Sequence, residues 1–211
     1  MRYRLFGPSG IRVSEICLGT MSFGDVWGFG ADEKESHRIV DAFAEEGGNF
    51  IDTANKYHEG QTEEILGRYI ATDRDHWVIG SKYTLAIRSD DPNAAGNSRK
   101  NLRQSVEGSL RRLGTDYLDI LWVHTCAVEE VMRALDDLVH AGTTLAVGFS
   151  DGPAWVVAQA NAVASVRGWT GFSGLQFPCS LIDRTAAPEV MTFADSERLP
   201  FLAWAPTGGG Y

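Results

Sequence analysis

The stretch that decides the fold is FIDTANKY, residues 50–57. Its apolar first half predicts a buried strand that ends on Asp52, and Tyr57 follows in the loop after that strand. The pattern recurs twice along the chain, in VIGSK and YLDILWVH, which end on Lys82 and His124. Because the C-terminal strand ends of a parallel barrel meet at one rim, we expect these four side chains to lie close together there.

Strands and amphipathic helices alternate along the chain after a short predicted hairpin in the first 15 residues. The predicted strands lie near residues 16–19, 49–52, 77–80, 117–124, 145–149, 174–177 and 201–204. The predicted helices lie near residues 32–46, 61–72, 97–113, 128–141, 153–166 and 184–197. Such alternation with short connections indicates parallel strands joined by right-handed crossovers.

A doubly wound open sheet fits the same alternation. However, the first strand is followed by Gly19-Thr20-Met21-Ser22 and not by the Gly-x-Gly-x-x-Gly turn of dinucleotide-binding sheets. The candidate functional residues are also spread over many strand ends. We therefore predict a single barrel domain over residues 1–211, one strand and two helices short of the eightfold barrel.

Composition and charge exclude several classes of protein. The chain has 211 residues, of which 44% are hydrophobic and 22% charged, as in ordinary globular domains. A formal net charge of -9 argues against a general binder of nucleic acid or of an anionic membrane surface. The three cysteines are widely spaced and form no metal-binding pattern, which favours reduced thiols, no metal and a cytoplasmic location. No apolar run approaches the roughly 18 residues that a membrane span needs.

Over nearly its whole length the chain resembles the aldo-keto reductase family. The motifs that carry the resemblance are GTMSFG, GGNFIDTA, SLRRL, DYLD and MRALDDL, which begin at residues 19, 47, 109, 116 and 132. The resemblance implies a TIM-type (β/α)8 barrel, here truncated to about seven strands and preceded by the hairpin. It also implies NADPH as cofactor and the reversible reduction of a carbonyl group of a small-molecule substrate, such as an aldehyde, a ketone, a sugar or a natural product.

The same resemblance maps the family's catalytic tetrad onto Asp52, Tyr57, Lys82 and His124. The chemistry of these residue types agrees. A phenol with an ordinary pKa near 10 is a slow proton donor at neutral pH, and a neighbouring ammonium group stabilises the phenolate. An Asp holds that ammonium charged and in place, and a His hydrogen-bonds the substrate oxygen.

Contacts to the cofactor are also implied by the resemblance. A glycine backbone allows close approach of the nicotinamide half, and an aromatic ring packs on the nicotinamide face. The expected cofactor-binding residues are Gly19, Thr20, Met21, Asp52, Ser150, Asp151, Gln176 and Trp204.

The chain also departs from the family pattern. It is expected to lack the last barrel strand and the segment that binds the adenosine 2'-phosphate, which leaves weak or absent NADPH binding as an open alternative. Asp151 stands where the family usually has Asn, and an ionised Asp can only accept hydrogen bonds. Pro178 is expected to end its strand early, and the loop after His124 is expected to be short and to open the substrate side of the rim.

Two alternatives to a reductase follow from these departures. The first is an enzyme that keeps the acid–base residues but performs a cyclisation, dehydration or isomerisation without a cofactor. The second is a non-catalytic subunit, in which another copy of the chain covers the open edge of the barrel as a homo-oligomer.

Overall fold

The computed structural model of the chain describes residues 1–88, 90–124 and 129–209. An antiparallel hairpin of β1 (Tyr3–Leu5) and β2 (Arg12–Ser14) comes first. The remaining strands are β3 (Cys17–Gly19), β4 (Phe50–Asp52), β5 (Val78–Lys82), β6 (Leu118–His124), β7 (Thr144–Ser150), β8 (Leu175–Pro178) and β9 (Phe201–Trp204). The helices are α1 (Glu33–Glu45), α2 (Gln61–Ile70), α3 (Arg99–Leu113), α4 (Glu129–His140), α5 (Ala154–Arg167) and α6 (Thr192–Ser196).

Strands β3 to β9 form one sheet in chain order, and every neighbouring pair is parallel. The sheet curls into a nearly closed barrel flanked by helices, with an unsealed seam between the edge strands β3 and β9. In the described part of the chain, each of these two strands is hydrogen-bonded to a neighbour on one side. The predicted fold class is therefore confirmed, whereas cover of the seam by a second copy stays a prediction.

Local sequence signals explain where the helices begin and end. The Asp32 side chain accepts a hydrogen bond from the backbone of Glu35 and so caps α1, and Ser98 caps α3 in the same way. Gly114 and Gly168 follow α3 and α5 in the left-handed conformation, with φ of 64° and 69°. No helix in the described residues has the length and apolar character needed to cross a membrane.

The last predicted helix is shorter than expected. The structure has a π-helical turn at Ala187–Met191 followed by α6, where the sequence predicted one helix over residues 184–197. The Asp183 side chain accepts from the backbone N–H of Thr185 and forms a local turn in place of a helix start. The predicted start of the fourth helix, and the predicted short loop after His124, fall on residues 125–128, outside the described residues.

Pro178 is the last residue of β8, one residue beyond the predicted end at residue 177, so it does not shorten the strand as the sequence predicted. It stays in register with Trp204 of β9, and the next residue, Cys179, donates its N–H to the Trp204 carbonyl at 3.2 Å. Since backbone groups alternate between the two sides of a strand, the nitrogen of Pro178 faces β7. The β7–β8 ladder has already ended at Gln176, so the missing donor costs no ladder hydrogen bond.

One tryptophan fills much of the barrel interior. Trp122 of β6 is fully buried, and the neighbouring strands carry glycines beside its indole. A Cβ atom on Gly148 would lie 2.3 Å from the Trp122 ring, and one on Gly80 would lie 2.8 Å from its Nε1. From the hairpin side, the Phe6 ring meets the Trp122 ring edge-on at 5.7 Å. Trp122 and Phe6 therefore form the packed apolar interior of the barrel beneath the rim.

We predict that Gly148→Ala destabilises the protein by roughly 1–3 kcal/mol, because the added methyl group overpacks the Trp122 indole. Gly19→Ala, in a strand of the same sheet, is the matched control, since its Cβ would meet nothing within 4 Å. Urea unfolding at neutral pH measures both changes. Equal stability of the two variants would contradict the tight Trp122 contact.

Candidate active site

The loop after β4 places Tyr57 above the end of β5. The backbone N–H of Thr53 donates to the Gly80 carbonyl at 2.8 Å, and that of Asn55 donates to the Lys82 carbonyl at 3.1 Å. These bonds extend the parallel ladder beyond β4. The Asn55 side chain, which is buried, also donates to the Tyr83 carbonyl. Tyr57 is thereby held on the same rim as the end of β5.

Lys82 is the centre of the cluster at this rim. Its side chain is 3% exposed, and its Nζ forms an ion pair with Asp52 Oδ2. The same Nζ donates to the Thr53 carbonyl at 3.0 Å and lies 3.4 Å from the Tyr57 hydroxyl. Three of the four predicted catalytic side chains are thus in direct contact.

Burial and charge act in opposite directions on this cluster. Burial disfavours the Lys82 ammonium, but the negative charge of Asp52 and the contact with Tyr57 outweigh it, so the pKa of Lys82 lies above its ordinary value. Burial raises the pKa of Tyr57, and the Lys82 charge counteracts only part of that rise. In this structure Tyr57 is therefore a protonated phenol beside a charged lysine.

His124 ends β6 at the same rim, where two polar side chains hold its backbone. Its N–H donates to Thr84 Oγ1 at 3.0 Å, and its carbonyl accepts from Asn97 Nδ2 at 3.1 Å. Burial lowers the pKa of His124, and the nearby Lys82 charge lowers it further. His124 is therefore a neutral imidazole at neutral pH.

Asp151 bridges His124 and Trp204. Its Oδ1 accepts from the Trp204 indole N–H at 3.0 Å, and its Oδ2 lies 3.9 Å from His124 Nε2. Asp151 has φ of 54°, a left-handed conformation that is uncommon for a non-glycine residue. The carboxylate expected to face the cofactor thus already has an indole N–H as hydrogen-bond donor.

The other predicted cofactor residues lie on the same rim in differing environments. In the part of the chain that the structure describes, nothing lies within 4 Å of a Cβ atom placed on Gly19, and the buried Ser150 Oγ has no hydrogen-bond partner. Gln176 is buried beside Ser150 in register, and Met21 is 53% exposed. The Thr20 hydroxyl instead donates to the Asp52 carbonyl at 3.0 Å and so fastens β3 to β4.

An aromatic loop lies beside Tyr57. Residues 23–31 form a loop closed by a bridge between Phe23 and Ala31. The Trp27 ring from this loop meets the Tyr57 ring edge-on at 6.4 Å, and the exposed Phe29 ring lies 6.0 Å from Trp27. The loop therefore gives the rim an aromatic wall on the Tyr57 side.

Sequence reasoning missed several residues that build this rim. Thr84 and Asn97 act on His124 from the long connection between β5 and α3, where no periodic pattern marks them. Asn55 lies within residues 50–57, just after the apolar strand that ends on Asp52. A polar side chain at that position was a usable signal for a residue that holds the loop. Trp27 sits among glycines in FGDVWGFG, a composition typical of a loop that presents its aromatic side chains.

We predict that Asp52→Asn destabilises the protein by roughly 3–5 kcal/mol, because it leaves the buried Lys82 ammonium without its counter-ion. The double variant Asp52→Asn with Lys82→Met should recover much of that loss. Asp90→Asn is the matched control, since Asp90 pairs with Arg88 on the surface, and it should leave the free energy of unfolding unchanged. Urea unfolding at pH 7 measures all three, and a loss as small as the control's would contradict the buried pair.

A pH dependence follows from the lowered pKa of His124. The unfolded chain, with an ordinary His pKa near 6.5, binds a proton at a higher pH than the folded chain does. Stability contributed by neutral His124 should therefore be complete above about pH 6.5 and be lost as the pH falls through the folded pKa. Urea unfolding of the wild type and of His124→Gln between pH 5 and 8 tests this, and identical pH profiles would contradict it.

Comparison with known proteins places this geometry in a family. A model of the Aldo/keto reductase family matches residues 15–211. Norsolorinic acid reductase A of Aspergillus parasiticus is 43% identical over 99% of the chain, and an aryl-alcohol dehydrogenase [NADP(+)] of Phanerodontia chrysosporium is 38% identical over 96% of it. The chain spans 58% of the length of each of these relatives. With a barrel, a rim cluster and a family match that agree, the chain belongs to the aldo/keto reductase family.

Proposed function

We propose that this chain carries the catalytic centre of an NADPH-dependent reductase that converts an aldehyde or ketone into an alcohol. The observation that carries the proposal is the contact of one buried ammonium, Lys82 Nζ, with both Asp52 and the Tyr57 hydroxyl. A phenol beside a buried lysine whose charge Asp52 stabilises is suited to donate a proton to a developing alkoxide. Family membership and the names of the relatives support an oxidoreductase.

In the proposed reaction Tyr57 is the general acid. The carbonyl oxygen gains negative charge as its carbon is reduced, and the Tyr57 hydroxyl donates its proton to that oxygen. The phenolate that remains is stabilised by Lys82 at 3.4 Å, which Asp52 keeps charged. Burial raises the pKa of Tyr57 and so keeps the proton in place until the alkoxide, a much stronger base, develops.

His124 has the second role in the reaction. Its lowered pKa keeps the imidazole neutral, so one ring nitrogen donates while the other accepts. Among the described residues the buried Nδ1 atom has no hydrogen-bond partner, while Nε2 lies on the side of Asp151. We assign His124 to orienting the carbonyl oxygen toward Tyr57.

The residues of the rim fit a nicotinamide cofactor. The open space above Gly19 allows a flat ring to approach the backbone closely, and the unpartnered Ser150 hydroxyl and the buried Gln176 amide are suited to a carboxamide. When bound, NADPH supplies a hydride for the carbonyl carbon. Trp204 would cover the ring from the seam side while its N–H stays on Asp151.

We further propose that the substrate carries an aromatic group. The Trp27 ring lies beside Tyr57 and the Phe29 ring lies beside Trp27, and aromatic rings pair favourably with one another. The names of two kinds of relatives, the norsolorinic acid reductases and the aryl-alcohol dehydrogenases, support an aromatic substrate.

We also propose a cytoplasmic location, which the three widely spaced cysteines, read as reduced thiols, favour.

A calorimetric titration with NADPH, and with NADH in parallel, tests the cofactor. We expect one site per chain with a dissociation constant on the order of micromolar for NADPH, about −8 kcal/mol of binding free energy. Absence of binding up to millimolar nucleotide would overturn the reductase. Turnover of a carbonyl compound without nucleotide would instead support cofactor-free acid–base chemistry.

Tyr57→Phe should lower kcat for carbonyl reduction by about 10²–10⁴-fold, because only the proton-donating hydroxyl is removed. The dissociation constant of NADPH should stay within about twofold of the wild-type value. Stopped-flow reduction assays measure kcat, and the same calorimetry measures the dissociation constant. Tyr3→Phe is the matched control, since the Tyr3 hydroxyl donates to the Gly47 carbonyl in the hairpin region, far from the rim. Wild-type kcat in Tyr57→Phe would remove the general acid from the proposal.

A further inference from the structure

The residue after Tyr57 is strained, buried and unused by the proposed mechanism. His58 has φ of 46° and ψ of 40°, and Glu59 follows with φ of 57°. Two consecutive non-glycine residues in the left-handed region cost of order 1–3 kcal/mol each and persist only where their surroundings hold them. His58 is completely buried. Such strain beside a catalytic side chain points to a positioning role.

The imidazole of His58 is the surface on which the aromatic loop rests. It stacks on the Trp27 ring at 4.5 Å with an angle of 23°, and it meets the Phe29 ring edge-on at 5.7 Å. Its Nδ1 accepts a hydrogen bond from the backbone N–H of Trp27 at 3.4 Å. The ring therefore holds both the backbone and the side chain of Trp27.

Glycines in the loop give the His58 ring its place. A Cβ atom on Gly24 would lie 2.5 Å from Gln61 Oε1 and 2.8 Å from the His58 ring, whereas one on Gly30 would lie 2.2 Å from the Gly24 carbonyl oxygen and 3.3 Å from the ring. Both glycines have positive φ, at 127° and 123°. Gly24 therefore leaves room for the imidazole, Gly30 leaves room for the backbone of the loop itself, and the positive φ favours glycine at both points.

Neighbours of His58 bind the same loop from the outside. The Trp27 indole N–H donates to Glu59 Oε1 at 3.2 Å, and Lys56 Nζ pairs with that carboxylate at 2.7 Å. Gln61 Oε1 accepts from the backbone N–H of Asp25 at 2.9 Å. Residues 56–61 thus contact the aromatic loop, and His58 contributes a fully buried side chain to that contact.

We propose that His58 is a positioning residue that fixes the Trp27 indole against Tyr57, and that this sets the selectivity of the pocket for planar aryl carbonyl compounds. The inference rests on the proposed function and deepens it. His58 touches neither Lys82 nor the reacting atoms, so it acts on the substrate through Trp27. Removal of its ring leaves the general acid in place but releases the wall that the aryl group packs on.

The test compares His58→Gly, His58→Asn and the control His76→Asn. Glycine and asparagine both tolerate the left-handed conformation, and the asparagine side chain keeps a hydrogen-bond acceptor for the backbone N–H of Trp27. His76 also contacts a tryptophan, Trp77, edge-on at 4.9 Å, but on an exposed turn before β5. The probes are 2-naphthaldehyde and butanal, each with NADPH.

We expect His58→Gly to raise KM for 2-naphthaldehyde by about tenfold, in keeping with the loss of one well-placed aromatic pair, and to change kcat little. KM for butanal should change by less than about twofold, since butanal has no ring to pack. His58→Asn should show a smaller rise, and His76→Asn none. In Trp27→Leu the additional change His58→Gly should have no further effect, because both act through one indole.

Binding without turnover separates this inference from the proposed function. The dissociation constant of 2-naphthaldehyde, measured by calorimetry on the wild type and the same variants, needs no reduction to take place. A tenfold weaker dissociation constant in His58→Gly supports the inference even if no carbonyl is reduced. The inference would be overturned by equal affinity of the wild type and His58→Gly for 2-naphthaldehyde, or by no binding of this aldehyde to the wild type. It would also be overturned by additive effects of Trp27→Leu and His58→Gly, or by equal losses for 2-naphthaldehyde and butanal. If His58→Gly does not fold, the same criteria apply to His58→Asn.

Discussion

The ion pair of Lys82 and Asp52 is the interaction on which the rim depends. A buried ammonium is costly unless it is paired and hydrogen-bonded, and Lys82 meets that requirement with Asp52 and the Thr53 carbonyl. Because both partners end strands, the pair also fixes how β4 and β5 align at their C-terminal ends. The Tyr57 hydroxyl then finds a charged neighbour whose position is set by the sheet and not by the loop.

Support for that pair extends outward through the layer of helices. Glu63 of α2 is fully buried, accepts the Ser81 hydroxyl at 2.6 Å and pairs with Arg112 at 2.7 Å. Ser81 precedes Lys82 in β5, so the strand that carries the ammonium is tied to α2 and α3 by a second buried charge. Below it, Trp122 and Phe6 fill the barrel interior with apolar volume. The polar rim therefore packs on the apolar barrel interior and is held on its outer side by the ion pair of Glu63 and Arg112.

Local patterns in the sequence were enough to predict the barrel and the rim on which the candidate residues lie. Strands β4, β5 and β6 are each a short, largely apolar run that ends on a polar residue, and both facts can be read within eight residues of Asp52, Lys82 or His124. The side-chain partners of the rim could not be predicted in this way. Trp204 meets Asp151 across 53 residues of chain, and the conformation of His58 depends on a loop about 30 residues earlier. Such contacts follow from the packing of strands and loops that lie far apart in the sequence, which no local pattern encodes.

The bond between Trp204 and Asp151 has a mechanical consequence. Trp204 belongs to β9, an edge strand at the seam, whereas Asp151 follows β7 and faces His124. A sliding or tilting of β9 would pull the indole N–H from the carboxylate and leave that negative charge freer to act on the imidazole. Since a negative neighbour favours the protonated form of a histidine, the proton affinity of His124 is tied to the seating of the edge strand. The position of an edge strand of the barrel thus influences the proton affinity of His124.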